Sequence, residues 1–86
     1  MEIIISPQAL DDVQSFKFGN QKLAFKVLEL IQDIAKNNFS GIGKPEPLKG
    51  NYQGYWSRRI NDEHRSIYRI HQNKIEIISA KGHYQD

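Results

Sequence analysis

Glu46 stands between two prolines and two lysines, in Lys44-Pro45-Glu46-Pro47-Leu48-Lys49. Each proline fixes its own φ, and Pro47 also pushes Glu46 out of helical geometry toward an extended one. The segment therefore reads as a stiff, polyproline-like connector. At about three residues per turn in that conformation, Glu46 and Lys49 share one side. A carboxylate held rigidly beside a cation suits a site that sets a base next to an anion. A helix-to-strand linker, charged only to stay wet, would carry the same residues. The rest of the chain favours chemistry. From Lys44 to Arg69, six cations (Lys44, Lys49, Arg58, Arg59, Arg65, Arg69) face three carboxylates (Glu46, Asp62, Glu63). Before Lys44, four lysines face five carboxylates. The second half thus holds an anion-attracting patch, and most of its cations are arginines, whose planar fork matches phosphate.

The histidines complete the inventory. His64 and His71 sit beside turns at strand ends, where an exposed histidine is unremarkable. His83 lies in Lys81-Gly82-His83-Tyr84, and the preceding Ile75, Ile77 and Ile78 can anchor it. No histidine pair has metal-ligand spacing. No glycine-rich phosphate loop and no serine or cysteine nucleophile motif is present. Tyr52, Tyr55, Trp56 and Tyr68 are interleaved with the arginines. Most of these rings suit the core, Trp56 among them. One or two, with Tyr84, could stack on unpaired bases.

The elements that must position these residues follow from periodicity. Glu2 to Ser6 reads as a short strand. Ser6 can cap a helix with Pro7 at its first position, and Ala9, Leu10, Val13 and Phe16 recur at helical spacing. Gly19-Asn20 breaks that helix, and Asn20 can cap the next. There Leu23, Val27, Leu30, Ile31 and Ile34 form one apolar face, ending near Asn37-Asn38. A loop rich in Gly and Pro leads to three β-type runs, 55–60, 64–71 and 74–81, with turns at Asn61-Asp62-Glu63 and Gln72-Asn73. The expected fold is α+β and two-layer: β-α-α-β-β-β, an antiparallel sheet packed against two N-terminal helices in one domain spanning 1–86.

Register arithmetic gathers the polar residues. A three-residue turn at 61–63 sets Arg59 opposite Arg65. Like charges directly opposed on a sheet cost stability, so an anion site has reason to keep them, although both side chains could also splay into solvent. A two-residue turn at Gln72-Asn73 sets Arg65 opposite Ala80. His83 is then three residues further, about 10 Å away. Arg59, Arg65 and His83 should gather at one end of the meander, with the Glu46 loop feeding into it.

Composition bounds the answer. The chain has 86 residues, 38% hydrophobic and 26% charged, with no cysteine and a net charge of +2. Disulfides and thiolate metal sites are excluded, which fits the cytoplasm. No apolar run approaches a membrane span or secretory signal core. The small net charge suits a protein that borrows its nucleic acid from a larger assembly better than one that holds it unaided.

The residues resemble the YoeB-type toxins of bacterial toxin–antitoxin pairs, within the RelE-like endoribonucleases. The likeness covers essentially the whole chain. It is densest in Gly43-Lys44-Pro45-Glu46-Pro47-Leu48-Lys49, in Gly54-Tyr55-Trp56-Ser57-Arg58-Arg59-Ile60, in Glu63-His64-Arg65 and in His83-Tyr84. The resemblance implies an mRNA interferase that cuts mRNA in the decoding site of the 70S ribosome. It also implies a YefM/Phd-like antitoxin that wraps and inhibits it, and leaves room for a homodimer. It casts Glu46 as general base, Arg65 as phosphate clamp, His83 as general acid and Tyr84 as an orienting or stacking residue. Lys44, Lys49 and Arg59 add electrostatic support. The tail departs from the family pattern, continuing past His83-Tyr84 with Gln85-Asp86, and the added carboxylates, of Asp86 and the terminus, could weaken RNA binding near His83.

RNA brings its own nucleophile, the 2′-OH. Cleavage needs a base for it, cations for the charge on phosphorus and an acid for the departing 5′-oxygen. Glu, Arg/Lys and His are that set. No metal or cofactor is required, and the products are a 2′,3′-cyclic phosphate and a 5′-hydroxyl. Cations beside Glu46 favour its charged form, so Glu46 and His83 could exchange the two roles. Two rivals remain. A ParE-like toxin of the same architecture would inhibit DNA gyrase, and would have no use for a base, clamp and acid. A non-catalytic module would bind RNA and leave it intact.

Overall fold

The computed structural model describes residues 1–82. Strand β1 (Glu2–Ile5) ends where Ser6 caps helix α1 (Pro7–Phe16), with Pro7 at its start. The Ser6 hydroxyl accepts from the Ala9 N–H at 3.0 Å and donates to the Ile78 carbonyl at 2.7 Å. One side chain thus both starts the helix and ties it to the sheet. Helix α2 (Gln21–Lys36) buries Val27, Leu30, Ile31 and Ile34, the apolar face read from the sequence. Asn20 precedes α2, yet its side chain makes no capping bond. Its backbone, at φ −157° and ψ 78°, departs from the geometry that aims a cap at the helix. None of the helices of the described residues is long and apolar enough to cross a membrane.

The chain then forms β2 (Glu46–Pro47), a single 3₁₀ turn at Gly50–Tyr52, β3 (Trp56–Arg59), β4 (Arg65–His71) and β5 (Lys74–Ser79). Strands β3, β4 and β5 make the expected antiparallel meander. Gln72 and Asn73 both take positive φ, 51° and 61°, which suits a two-residue hairpin turn between right-twisted strands. The α+β two-layer class stands, and two pairings extend the sheet. β1 lies parallel to β5, making the sheet mixed, in the order β1-β5-β4-β3-β2. The proline-flanked connector is itself an edge strand, with Glu46 opposite Ser57 and Pro47 opposite Trp56. An edge tolerates proline because one row of N–H groups has no ladder partner. The close approach of this connector requires Gly43, at φ +79°. Its carbonyl accepts from the Arg59 N–H at 2.6 Å, and a Cβ there would stand 2.7 Å from the Leu30 side chain.

Both helices lie on one face, over Tyr68, Ile75, Ile77 and Ala80. That face decides the fate of Arg58, which the charge count had placed in the anion-attracting patch. Arg58 is fully buried. Its guanidinium pairs with Asp33 at 2.5 Å and donates to the carbonyls of Asn37, Ser40 and Ile42 and to the Tyr68 hydroxyl. It staples the loop after α2 to β3 and has no role at the surface. Arg69 leaves the patch as well, paired with Glu76 at 2.8 Å and lying over the Tyr55 ring.

The interior arginine gives a stability prediction. Arg58→Met keeps the volume and strands five acceptors, so we expect a loss of about 3 kcal/mol or more in urea unfolding. Equal stability would mean that the loop closes without it. The Arg58 hydrogen bond, with the Ile42 N–H, holds the Asp33 carboxyl below the ordinary carboxylate range. A lowered folded value stabilises the fold above the unfolded value and loses that contribution as pH falls through the folded one. Stability should therefore drop below about pH 4, and Asp33→Asn should flatten that part of the acid limb.

Candidate active site

The sheet face away from the helices carries Glu46, Arg59 and Arg65. Directly opposed residues in an antiparallel ladder share a face. The pairings therefore set Glu46, Ser57 and Ile67 in one row, with Arg59 and Arg65 opposed in the next. The sequence expectation for that arginine pair holds. Arg59 is exposed to solvent, while the Arg65 side chain is only 14% exposed and reaches Glu46 at 3.6 Å. Arg65 and Glu46 are thus already paired with each other.

That contact spans a strand. Glu46 is on β2 and Arg65 on β4, with β3 between them, so Arg65 must cross about two strand spacings, close to 10 Å. Ser57 stands in the row being crossed, and its small side chain leaves the passage open. Its hydroxyl is buried and has no hydrogen-bond partner among the described residues, and the same holds for Ser79. Sequence reasoning missed Ser57, because its place opposite Glu46 appears only once the connector is seen to be a strand.

Lys44 precedes β2 in a left-handed conformation, φ 51°, and is exposed. Lys49 is exposed just beyond β2, at the start of the 3₁₀ turn. With Arg59 and Arg65 these lysines are the cations that remain around Glu46. Beside the Ile67 row, Asn51, Tyr52, Tyr55, Ile67 and Ile78 line a cleft of about 350 Å³. The rings of Tyr52 and Tyr55 meet edge-on, their centroids 6.4 Å apart. Trp56 packs on Phe39 at 4.7 Å, and Tyr68 is buried, as packing roles require.

The placement of Arg65 opposite Ala80 needs correction. Ile67 faces Ser79 while Tyr68 faces Ile77, so Ile78 is an extra residue on β5. This bulge advances β5 by one residue, and the Arg65 N–H donates to the Gly82 carbonyl at 2.9 Å. The end of the strand is secured twice more. The Asp12 carboxylate accepts from the Ala80 N–H at 2.9 Å, and the His64 Nδ1 accepts from the Gly82 N–H at 3.0 Å. His64, unremarkable in the sequence, is therefore packed and bonded. His83 and Tyr84, named from the sequence as acid and orienting residue, follow Gly82 and lie outside the described residues.

Chemically, the described residues offer a carboxylate, a guanidinium touching it, further cations and an aromatic cleft on one accessible face. That suits recognition of a phosphodiester with its flanking base.

Residues 5–84 match the family model described as the YoeB-like toxin of bacterial type II toxin–antitoxin systems. The chain is 47% identical over 85 residues to the toxin YoeB of Synechocystis sp., covering 99% of each. Among solved structures, the YoeB dimer from Staphylococcus aureus superposes with a TM-score of 0.88 at 47% identity, with 98% of each chain covered. The heterotetrameric YoeB-YefM toxin–antitoxin complex from Staphylococcus aureus does so with a TM-score of 0.85 at 47% identity, again with 98% of each chain covered.

Proposed function

This chain belongs to the YoeB-like toxins of bacterial type II toxin–antitoxin systems, and from that premise we propose that its open sheet face cleaves mRNA on the ribosome. The observation that carries the reading is the Glu46–Arg65 contact across β3, with Arg59 opposed to Arg65. Glu46 takes the proton of the 2′-OH. Arg65, helped by Arg59, Lys44 and Lys49, holds the charge that builds on phosphorus. His83 protonates the departing 5′-oxygen, and Tyr84 orients the substrate or stacks on it. Each step is a proton transfer or an electrostatic contact made by this chain's own groups, so the reaction proceeds without a metal. The products are a 2′,3′-cyclic phosphate and a 5′-hydroxyl. The site of action is the cytoplasm, where mRNA is translated.

Mapping the ends of an mRNA translated in the presence of the protein tests this reading. Cuts confined to translated message, each leaving a cyclic phosphate, are expected. Intact message together with inhibited supercoiling would instead indicate a gyrase inhibitor. RNA bound and left whole would indicate a binding module.

The partner is a YefM-like antitoxin, as in the Staphylococcus aureus complex. An acidic, partly disordered antitoxin segment would lie on the cations of the open face and compete with RNA there. Its affinity should fall as salt rises. A complex that leaves Arg59 and Arg65 open to solvent would rule out direct blocking. Pairing with a second copy, as in the Staphylococcus aureus dimer, is compatible with this site, since one chain supplies every group named.

A further inference from the structure

We propose that His64 is a positioning residue for the C-terminal end of the active site, acting through Gly82. This rests on the reading of His83 as the general acid.

Gly82 has both backbone polar atoms held by consecutive residues. Its carbonyl accepts from the Arg65 N–H at 2.9 Å, and its N–H donates to the His64 Nδ1 at 3.0 Å. Arg65 carries the clamp, and Gly82 is the residue before His83. The clamp and the origin of the acid's segment are therefore fixed to one another by two bonds from a single dipeptide.

His64 is suited to this task because it is itself immobilised. The Asn61 side chain accepts from its N–H at 2.7 Å, and its carbonyl accepts from the N–H groups of Ile60 and Asn61. The ring packs on Phe16, with centroids 5.2 Å apart, and the side chain is 14% exposed. A ring nitrogen that accepts from an N–H carries no proton, so Nδ1 is bare and Nε2 bears the hydrogen. Nε2 faces Glu63 Oε2 at 3.4 Å, an acceptor that favours this tautomer. The imidazole touches neither Glu46 nor Arg65 through its ring nitrogens. Its contribution is to set where the chain leaves Gly82, and a displacement of about 1 Å at a reacting group can cost up to 10²-fold in rate.

Two substitutions at position 64 separate positioning from bulk stability. His64→Leu keeps an apolar body against Phe16 and removes the acceptor. His64→Asn puts an acceptor oxygen at the same bond count from Cα as Nδ1. In single-turnover cleavage on programmed ribosomes, His64→Leu should slow the reaction by roughly 10- to 10²-fold without weakening ribosome binding. His64→Asn should restore most of the rate. The Gly82 amide should resist hydrogen exchange in the wild type and in His64→Asn, and exchange freely in His64→Leu. In a His83→Gln background, His64→Leu should add little further loss. Equal losses in the Leu and Asn variants would reduce His64 to packing and overturn the proposal. Wild-type turnover by His64→Leu, with His83→Gln impaired, would overturn it too. Wild-type turnover by His83→Gln would remove the acid on which the proposal depends, a separate and recognisable failure.

Discussion

Arg65→Ala should remove most mRNA cleavage and leave the chain folded. In the proposed reaction the transition state places extra charge on the phosphoryl oxygens, and a guanidinium held beside Glu46 on the open sheet face is placed to meet it. Removing one such donor costs about 10²–10³ in rate. The folded state loses far less. Arg65 pairs at 3.6 Å with Glu46, whose side chain is 64% exposed, and ion pairs with exposed partners contribute little. Deleting Arg65 also removes a like-charge pairing with Arg59, which works in the opposite direction. The melting temperature should therefore stay close to wild type. The experiment is single-turnover cleavage on programmed ribosomes, with thermal unfolding followed in parallel. A folded Arg65→Ala variant that cleaves at the wild-type rate would sink the clamp assignment. A variant that fails to fold would show that the Glu46–Arg65 crossing matters to the sheet more than ion-pair energies allow.

The second large effect is expected at His83. If it protonates the leaving 5′-oxygen, His83→Gln should slow cleavage by about 10²–10⁴-fold, the usual contribution of one general acid or base. Ribosome binding should survive, because the interaction lost belongs to the transition state. The residues that follow give an internal control. Removing Gln85-Asp86 takes one negative charge off the tail and should leave activity equal or higher. Removing Tyr84 as well should lower it, through lost orientation or stacking. Wild-type cleavage by His83→Gln would mean that another group is the acid. Glu46 would then have to be tested in that role, since the two residues could exchange functions.

Much of this site was legible because its determinants are local. Ser6-Pro7 starts α1 through short-range capping and a fixed φ. The apolar spacing of α2 places Val27, Leu30 and Ile34 on the buried face. Gln72-Asn73 accepts the positive φ of a tight hairpin. With that turn and the one at 61–63 recognised, the opposition of Arg59 and Arg65 follows from counting residues, and the ladder has it. The motif strings around Glu46 and Arg65 likewise sufficed to indicate the family.

Other features depend on contacts far apart in the chain. Strand alternation says that Arg58 and Arg59 face opposite ways, and gives no sign of which way the helices lie. Only packing shows that Arg58 points inward to Asp33, 25 residues away, while Arg59 points to solvent. The edge strand at Glu46 carries no alternation to read in two residues. Its pairing with β3 is what sets Ser57 opposite Glu46. The bulge at Ile78 changes the count by one and moves Arg65 from Ala80 toward Gly82, and the chain between Ser79 and Gly82 is held there by Asp12 on α1 and by His64, the residue before β4. The sequence by itself indicated which residue types could cut RNA, and it placed Arg59 and Arg65 on paired strands. Tertiary structure decided which cations remain at the surface, and where the segment leading to His83 begins. Those outcomes are set by burial and by hydrogen bonds between residues dozens of positions apart.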